Sequence, residues 1–323
     1  MRISAEILTA QAAATGFRPN VLEKVGHLLG LLDAIQSHPF LKGKLALKGG
    51  TALNLFIFHV PRLSVDIDLN YVGAETRETM VAERPNIERA VQAVFAREGF
   101  TVRRMPEDHA GGKWALRYGS APGRTGNLEV DLNFMFRIPL WPLTLRDSQR
   151  VGGWRATGIP VLDHHELAAG KLVAMLSRKQ ARDLFDSQGI FRMENLERDR
   201  LRIGFVVYGA MNRIDWRTIS VDAVDFDPAE LARQLMPVLR VQAPEVESKP
   251  TEYGARLVKD CRKGLSAVLP LADNEGAFLD LLLEKGVVDA TLLTSDPVLQ
   301  ERIQKQPLLA WKALHVRRYK GLA

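Results

Sequence analysis

Apolar positions along the chain change period several times, and each change marks an element. Between Asn20 and Ile35 they fall at Val21, Val25, Leu28, Leu29 and Leu32, one face of a helix for which Asn20 would be a suitable N-cap. Leu45 to Leu47 reads as a short strand, and Thr51 to Phe58 as a helix behind two glycines. Ser64 to Tyr71 alternates polar and apolar residues, as a half-buried strand does. Pro85 to Arg97 returns to helical spacing through Ile87, Ala90, Val91 and Val94, with Gly99 just past its end. Three more strands are predicted at Phe100 to Met105, Lys113 to Tyr118 and Leu128 to Phe136, the last two separated by the turn-forming stretch SAPGRTGN.

Beyond Pro160 the pattern becomes helical. Leu162 to Arg178 is a strong amphipathic helix, and AELARQLMPVLR, EGAFLDLLLEKG and ERIQKQPLLAWKAL share its period, whereas VQAPEVESKPTEYG (Val241 to Gly254) reads as a linker. The pattern predicts an α/β (α+β) fold with a mixed sheet over residues 1–160, followed by a mostly helical domain over 161–323. The 323 residues suit two domains at about 150 residues each.

Composition adds modest constraints. Lys and Arg outnumber Asp and Glu by 44 to 38, a formal charge of +6 that suits a polyanionic partner and equally an uncommitted basic surface. The single cysteine, Cys261, excludes an intramolecular disulfide and a thiolate metal cluster. Neither a secretory leader nor an apolar run of bilayer length is present, so a reducing, cytoplasmic setting without a membrane is expected.

The chemistry lies in the strands. Side chains alternate across a strand, so Asp66 and Asp68 share one face with Ser64, opposite Val65, Ile67 and Leu69. Two like charges one pleat apart repel, which a divalent cation with a preference for hard oxygen ligands would relieve. In LEVDLNF, Glu129, Asp131 and Asn133 again share one face against Leu128, Val130, Leu132 and Phe134. If the two strands adjoin, Asp66, Asp68 and Asp131 become a ligand set for a pair of Mg²⁺ ions, able to activate a hydroxyl and stabilise a departing pyrophosphate. Upstream, KGGTALNLF places Gly49, Gly50 and Thr51 at a helix start, where small residues and unpaired N–H groups favour phosphate oxygens. It is neither a Walker A loop nor a dinucleotide fingerprint.

Together these segments resemble the nucleotidyltransferase fold of the DNA polymerase β superfamily. The wording KGGTALNL…RLSVDIDL, followed by HELAAGKLVAMLSRKQARDLFD, resembles the AbiEii toxin family of type IV toxin–antitoxin systems. The resemblance covers roughly residues 40–190, with a longer interval between the glycines and Asp66 than is usual in the superfamily. It implies a nucleotidyltransferase catalytic domain over 1–160. Metal would be held by Asp66, Asp68 and Asp131, an NTP by Gly49, Gly50 and Thr51, and phosphate by Lys171. Asp183 and Asp186 match the acidic position after that lysine, and the choice between them stays open, with Asp186 placed in the catalytic set. The implied acceptor is RNA, the tRNA 3′ end, and the implied partner an antitoxin from an adjacent gene. Two other readings use the same residues: transfer to a protein or small molecule, and a catalytically inactive nucleic-acid-binding module. Retention of all three acids speaks against the second.

Other groups read as bystanders. Successive helical residues point in different directions, so His164, His165 and Glu166 are not expected to chelate zinc. His27, His38, His59, His109 and His315 are scattered and read as structural or exposed. The tail HVRRYK, with Arg317, Arg318 and Lys320 beside Tyr319, is either an RNA-contacting patch or a solvated terminus.

Overall fold

The computed structural model describes residues 3–104, 111–121, 123–243 and 249–322. Met105, Pro122, His109 and the middle of the expected linker lie outside the described residues. The chain forms two compact units, each discontinuous in sequence. The first comprises Met1–Arg137, Leu143–Leu162 and Ala232–Lys249; the second comprises Ile138–Pro142, Asp163–Leu231 and Pro250–Ala323. Residue 160 thus lies just before the end of a first-unit segment. No helix among the described residues is long and apolar enough to cross a membrane.

The first unit is built on a seven-stranded mixed sheet of order β3-β4-β5-β2-β1-β7-β6. The strands are β1 (Leu45–Lys48), β2 (Asp66–Tyr71), β3 (Thr101–Arg104), β4 (Gly111–Gly119), β5 (Thr125–Asn133), β6 (Thr144–Arg146) and β7 (Ile159–Val161). Its helices are α1 (Ala5–Thr15), α2 (Pro19–Ser37), α3 (Gly49–Ala52) and α4 (Arg77–Arg97). Leu47, Ile67, Leu69, Trp114, Leu116, Val130 and Leu132 are buried on one face of the sheet. The buried faces of α2 (Leu22, Val25, Leu28, Leu29) and α4 (Ile87, Val91, Val94, Phe95) pack there, with the Phe95 ring edge-on to Trp114. Burial of such side chains contributes about 1.5–3 kcal/mol each, enough to fix which strand face points inward. The polar residues of β2 and β5 are thereby left on the other face.

Several elements differ from the expected ones for identifiable reasons. Helix α2 begins at Pro19, whose fixed φ suits a first helical position, so the cap position is Arg18 rather than Asn20 and carries no side-chain cap. Helix α4 begins at Arg77, where the Thr76 hydroxyl accepts the Thr79 N–H, and Pro85 lies inside it. Buried Met80 and Ile87 on either side of the proline supply packing that outweighs its missing hydrogen bond. β6 and β7 were not predicted: three residues show no usable period, and β7 owes its place to parallel pairing of Val161 with Leu47.

The second unit is helical: α5 (His164–Arg178), α6 (Ala181–Ile190), α7 (Arg198–Ala210), α8 (Pro228–Glu230), α9 (Pro250–Gly264), α10 (Asp273–Asp280), α11 (Pro297–Gln304) and α12 (Pro307–Tyr319). Residues 250–254 of the expected linker belong to α9, because Tyr253, Leu257 and Cys261 make one buried stripe at four-residue spacing. AELARQLMPVLR is not one helix: α8 passes into a π-turn at Leu231–Leu235 and a 3-10 turn at Met236–Val238 around Pro237. From there the chain serves the first unit, where the Leu63 N–H donates to the Val238 carbonyl (2.9 Å) and the Val241 N–H to the Gly16 carbonyl (2.7 Å).

Candidate active site

β2 and β5 are adjacent and parallel, with Asp66 opposite Glu129, Asp68 opposite Asp131 and Asn70 opposite Asn133. Directly opposed residues share a sheet face, so Asp68 and Asp131 stand side by side and Asp66 one pleat along. All three carboxylates are half-buried, while Ile67, Val130 and Leu132 on the reverse face are fully buried. Asn70 continues the acidic face at 1% exposure, and its Oδ1 has no hydrogen-bond partner among the described residues.

The glycine motif is folded onto the same carboxylates. β1 ends at Lys48, opposite Asp68 in the antiparallel pair β1–β2, and α3 starts at once. Gly49 has φ +72°, and a Cβ there would overlap the Asp68 carboxylate, so glycine is required both by the turn and by the close approach. The start of α3 has no side-chain cap, which leaves first-turn N–H groups for an anion. Thr51 is fully buried, and its hydroxyl donates to the Asp66 carbonyl. Its proton therefore ties the glycine turn to the acidic strand, a role the sequence reading had not given it. Asn54 closes the turn by donating from Nδ2 to the Gly50 carbonyl (3.0 Å).

Lys113, opposite Asp131 on β4, is a charged neighbour the sequence reading passed over. Burial alone would lower its pKa, but Glu129 at 3.3 Å, with Asp66 and Asp68 beyond, raises it overall. The donor chemistry of this set suits a divalent cation. The donors are hard oxygens, three of them anionic, an Asn oxygen lies buried and unsatisfied on the same face, and Asp68 is held by backbone too close for any side chain at Gly49.

Lys171 and Asp186 belong to the second unit, where they form a different cluster. Lys171 Nζ lies 2.8 Å from Asp183 and 3.0 Å from Asp186, and Arg178 reaches Asp183 at 2.9 Å. Lys171, Asp183 and Asp186 are all buried, so this cluster joins α5 to α6. Both candidate acids contact the lysine.

At the start of α5, Asp163 caps the helix by accepting the His165 N–H, and both histidine rings converge on it. The expectation that adjacent residues diverge fails for the two histidines, whose ring centroids lie 4.0 Å apart over the capping carboxylate, and holds for Glu166, which turns away to Tyr208 and Leu140. The His165 Nε2 accepts the Glu197 N–H (3.0 Å), leaving its Nδ1 proton for Asp163 at 2.9 Å, so this ring has no lone pair for a metal.

Glu166 is fully buried and accepts from the Tyr208 hydroxyl (2.7 Å) and the Leu140 N–H (3.0 Å). Burial pushes its pKa up to about 7, against the pull of those hydrogen bonds. An acid with a raised folded pKa holds its proton longer folded than unfolded. Stability from this group therefore falls as pH rises from about 4.5 to about 7, by on the order of 3 kcal/mol. In Glu166→Gln the amide retains both contacts, since Tyr208 can accept as well as donate. Melting temperatures from pH 5 to 8 should decline for the wild type relative to this variant; parallel curves would show that Glu166 is already ionised across the range.

The tail is partly engaged. Arg317 donates to the Gly286 carbonyl (3.0 Å) and Lys320 pairs with Glu284, whereas Arg318 and Tyr319 are exposed.

The model of the nucleotidyl transferase AbiEii toxins of type IV toxin–antitoxin systems matches residues 30–264. The chain belongs to the AbiEii family. It is a nucleotidyltransferase toxin of the type IV class, and that class implies an antitoxin partner. Among solved structures it is similar to MenT4, a nucleotidyltransferase toxin from Mycobacterium tuberculosis H37Rv, at 16% identity and a TM-score of 0.62 over 96% of this chain and 99% of that one. At that identity the likeness concerns the fold. Comparison with curated protein sequences gave no match.

Proposed function

We propose that this AbiEii-family enzyme transfers NMP from an NTP to the 3′-terminal hydroxyl of tRNA, using Mg²⁺ held by Asp66, Asp68 and Asp131. The observation that carries the reading is the register of β2 against β5, which sets Asp68 beside Asp131, with Gly49 closed onto Asp68. The first-turn N–H groups at Gly49, Gly50 and Thr51 receive the triphosphate, and Thr51 holds that turn to Asp66 by its hydroxyl. Bound Mg²⁺ would polarise the α-phosphoryl group and stabilise the departing pyrophosphate. The nucleophile is the acceptor hydroxyl oxygen: it gives up its proton to solvent, and its bond to the α-phosphorus forms as the bond to pyrophosphate breaks. Lys171, which the family resemblance makes a phosphate contact, is held by Asp183 and Asp186.

The test is to incubate the protein with each labelled NTP and total cell RNA, with and without Mg²⁺. Label is expected in the tRNA band with one NTP preferred, in Mg²⁺ only, and not with Asp68→Ala. Label in protein or in a small molecule would transfer the reading to that acceptor. In cells, induction should arrest growth with altered tRNA 3′ ends, and co-expression of the adjacent antitoxin gene should relieve it. Unaltered ends during arrest would remove tRNA modification as its cause.

A further inference from the structure

The two facing carboxylates are the middle of a longer row. Across four adjacent strands one rung reads Lys113, Asp131, Asp68, Lys48, from β4 through β5 and β2 to β1. Opposed residues lie on one face with Cβ atoms about 4.5–5.5 Å apart. The residues next to them, Trp114, Val130, Leu69 and Leu47, are all buried on the reverse face, which confirms the alternation. The row therefore carries cation, anion, anion, cation.

Neither ammonium is spent on the aspartate it faces. Lys113 Nζ lies 3.3 Å from Glu129, an exposed pair in which both side chains are about half accessible. Lys48 Nζ lies 5.2 Å above the Phe136 ring. Exposed ion pairs and cation–π contacts of this kind are each worth about 1 kcal/mol or less, so both side chains can be redirected at small cost. A triphosphate brought up to three carboxylates is an anion against anions. Divalent metal removes part of that repulsion, and cations flanking the carboxylates are placed to remove more.

We infer that Lys48 and Lys113 are polyphosphate-binding residues, gripping the nucleoside triphosphate from the two sides of the Asp68–Asp131 pair. This rests on the nucleotidyl-transfer reading of the same site. It makes opposite predictions for the two ligands, which a merely structural lysine would not. With nucleotide absent, each lysine repels a metal ion from the carboxylates. With nucleotide present, each attracts it.

Lys48→Met and Lys113→Met remove the charge and keep the stem, and a thioether still packs on Phe136. Two equilibria are measured. Mn²⁺ binding without nucleotide is read from the paramagnetic signal of the free ion, and binding of each NTP in EDTA by equilibrium dialysis. Each variant should bind Mn²⁺ about threefold or more tightly and the NTP about tenfold more weakly, with Lys→Arg restoring both toward wild type. NTP affinity equal to wild type in both Met variants, or Mn²⁺ affinity lowered together with it, would overturn the inference. Asp68→Ala separates this from failure of the metal reading. If that variant keeps Mn²⁺ binding, the carboxylate assignment fails by itself, while the dialysis in EDTA still decides the lysines.

Discussion

Asp68→Ala is expected to lower nucleotidyl transfer by about 10³-fold or more while leaving thermal stability at or above that of the wild type. The two halves of this result have one cause. Asp68 faces Asp131 across parallel strands, and like charges directly opposed destabilise a sheet, so removing one relieves repulsion. The side chain lies on the polar face, and the residues that hold β2 in place, Ile67 and Leu69, are untouched. Mg²⁺-dependent pyrophosphate release with each NTP, measured beside a thermal melt, checks both halves. Full activity would sink the carboxylate reading, and loss of activity with a lowered melting temperature would make Asp68 a folding residue. In cells, arrest that persists with the Asp68 variant at equal expression would separate toxicity from transfer.

Lys171→Ala should behave in the opposite way, as a stability variant first. Its ammonium is the shared partner of Asp183 and Asp186, which are 2% and 0% exposed. Removing it leaves two carboxylates buried side by side, with Arg178 still on Asp183. Breaking a buried pair from one side costs about 3–5 kcal/mol, because the remaining charges lose their compensation. Replacing all three at once, Lys171→Met with Asp183→Asn and Asp186→Asn, should recover most of that loss, since the three buried charges are removed together and Arg178, which loses Asp183, is exposed to water. Urea unfolding of the single and triple variants tests this. A Lys171→Ala protein that unfolds with the wild type yet fails to bind NTP would assign the lysine to phosphate instead, as its family membership implies.

The lysine shows where sequence reading stops. Its neighbours Ala168, Gly170 and Leu172 indicate that an ammonium in that setting needs an anion, and that inference holds for the fold itself. Which anion it finds depends on α6 folding back against α5, and no periodicity encodes that angle. The carboxylates were easier. Alternation along VDIDLN and LEVDLN fixes which side chains share a face, because in a strand the period is two whatever the neighbours are. Whether the two strands adjoin was conditional on tertiary structure.

Local chemistry determined a good deal by itself: the strands bearing the acids, the helix of α2, the glycine turn before α3 and the helical character of the second half. These follow from hydrophobic spacing and from glycine's access to positive φ, both properties of a short segment. Tertiary structure alone decided the rest. It paired β2 with β5 in the register that sets Asp68 beside Asp131 and completed the rung with Lys113 and Lys48. It also turned Thr51 inward to the Asp66 carbonyl and returned residues 232–249 to the first unit. The physical reason is common to all of these. Register, sheet order and segment return are set by burying apolar faces across long sequence separations, and a segment's own pattern records that it has such a face but not which partner covers it.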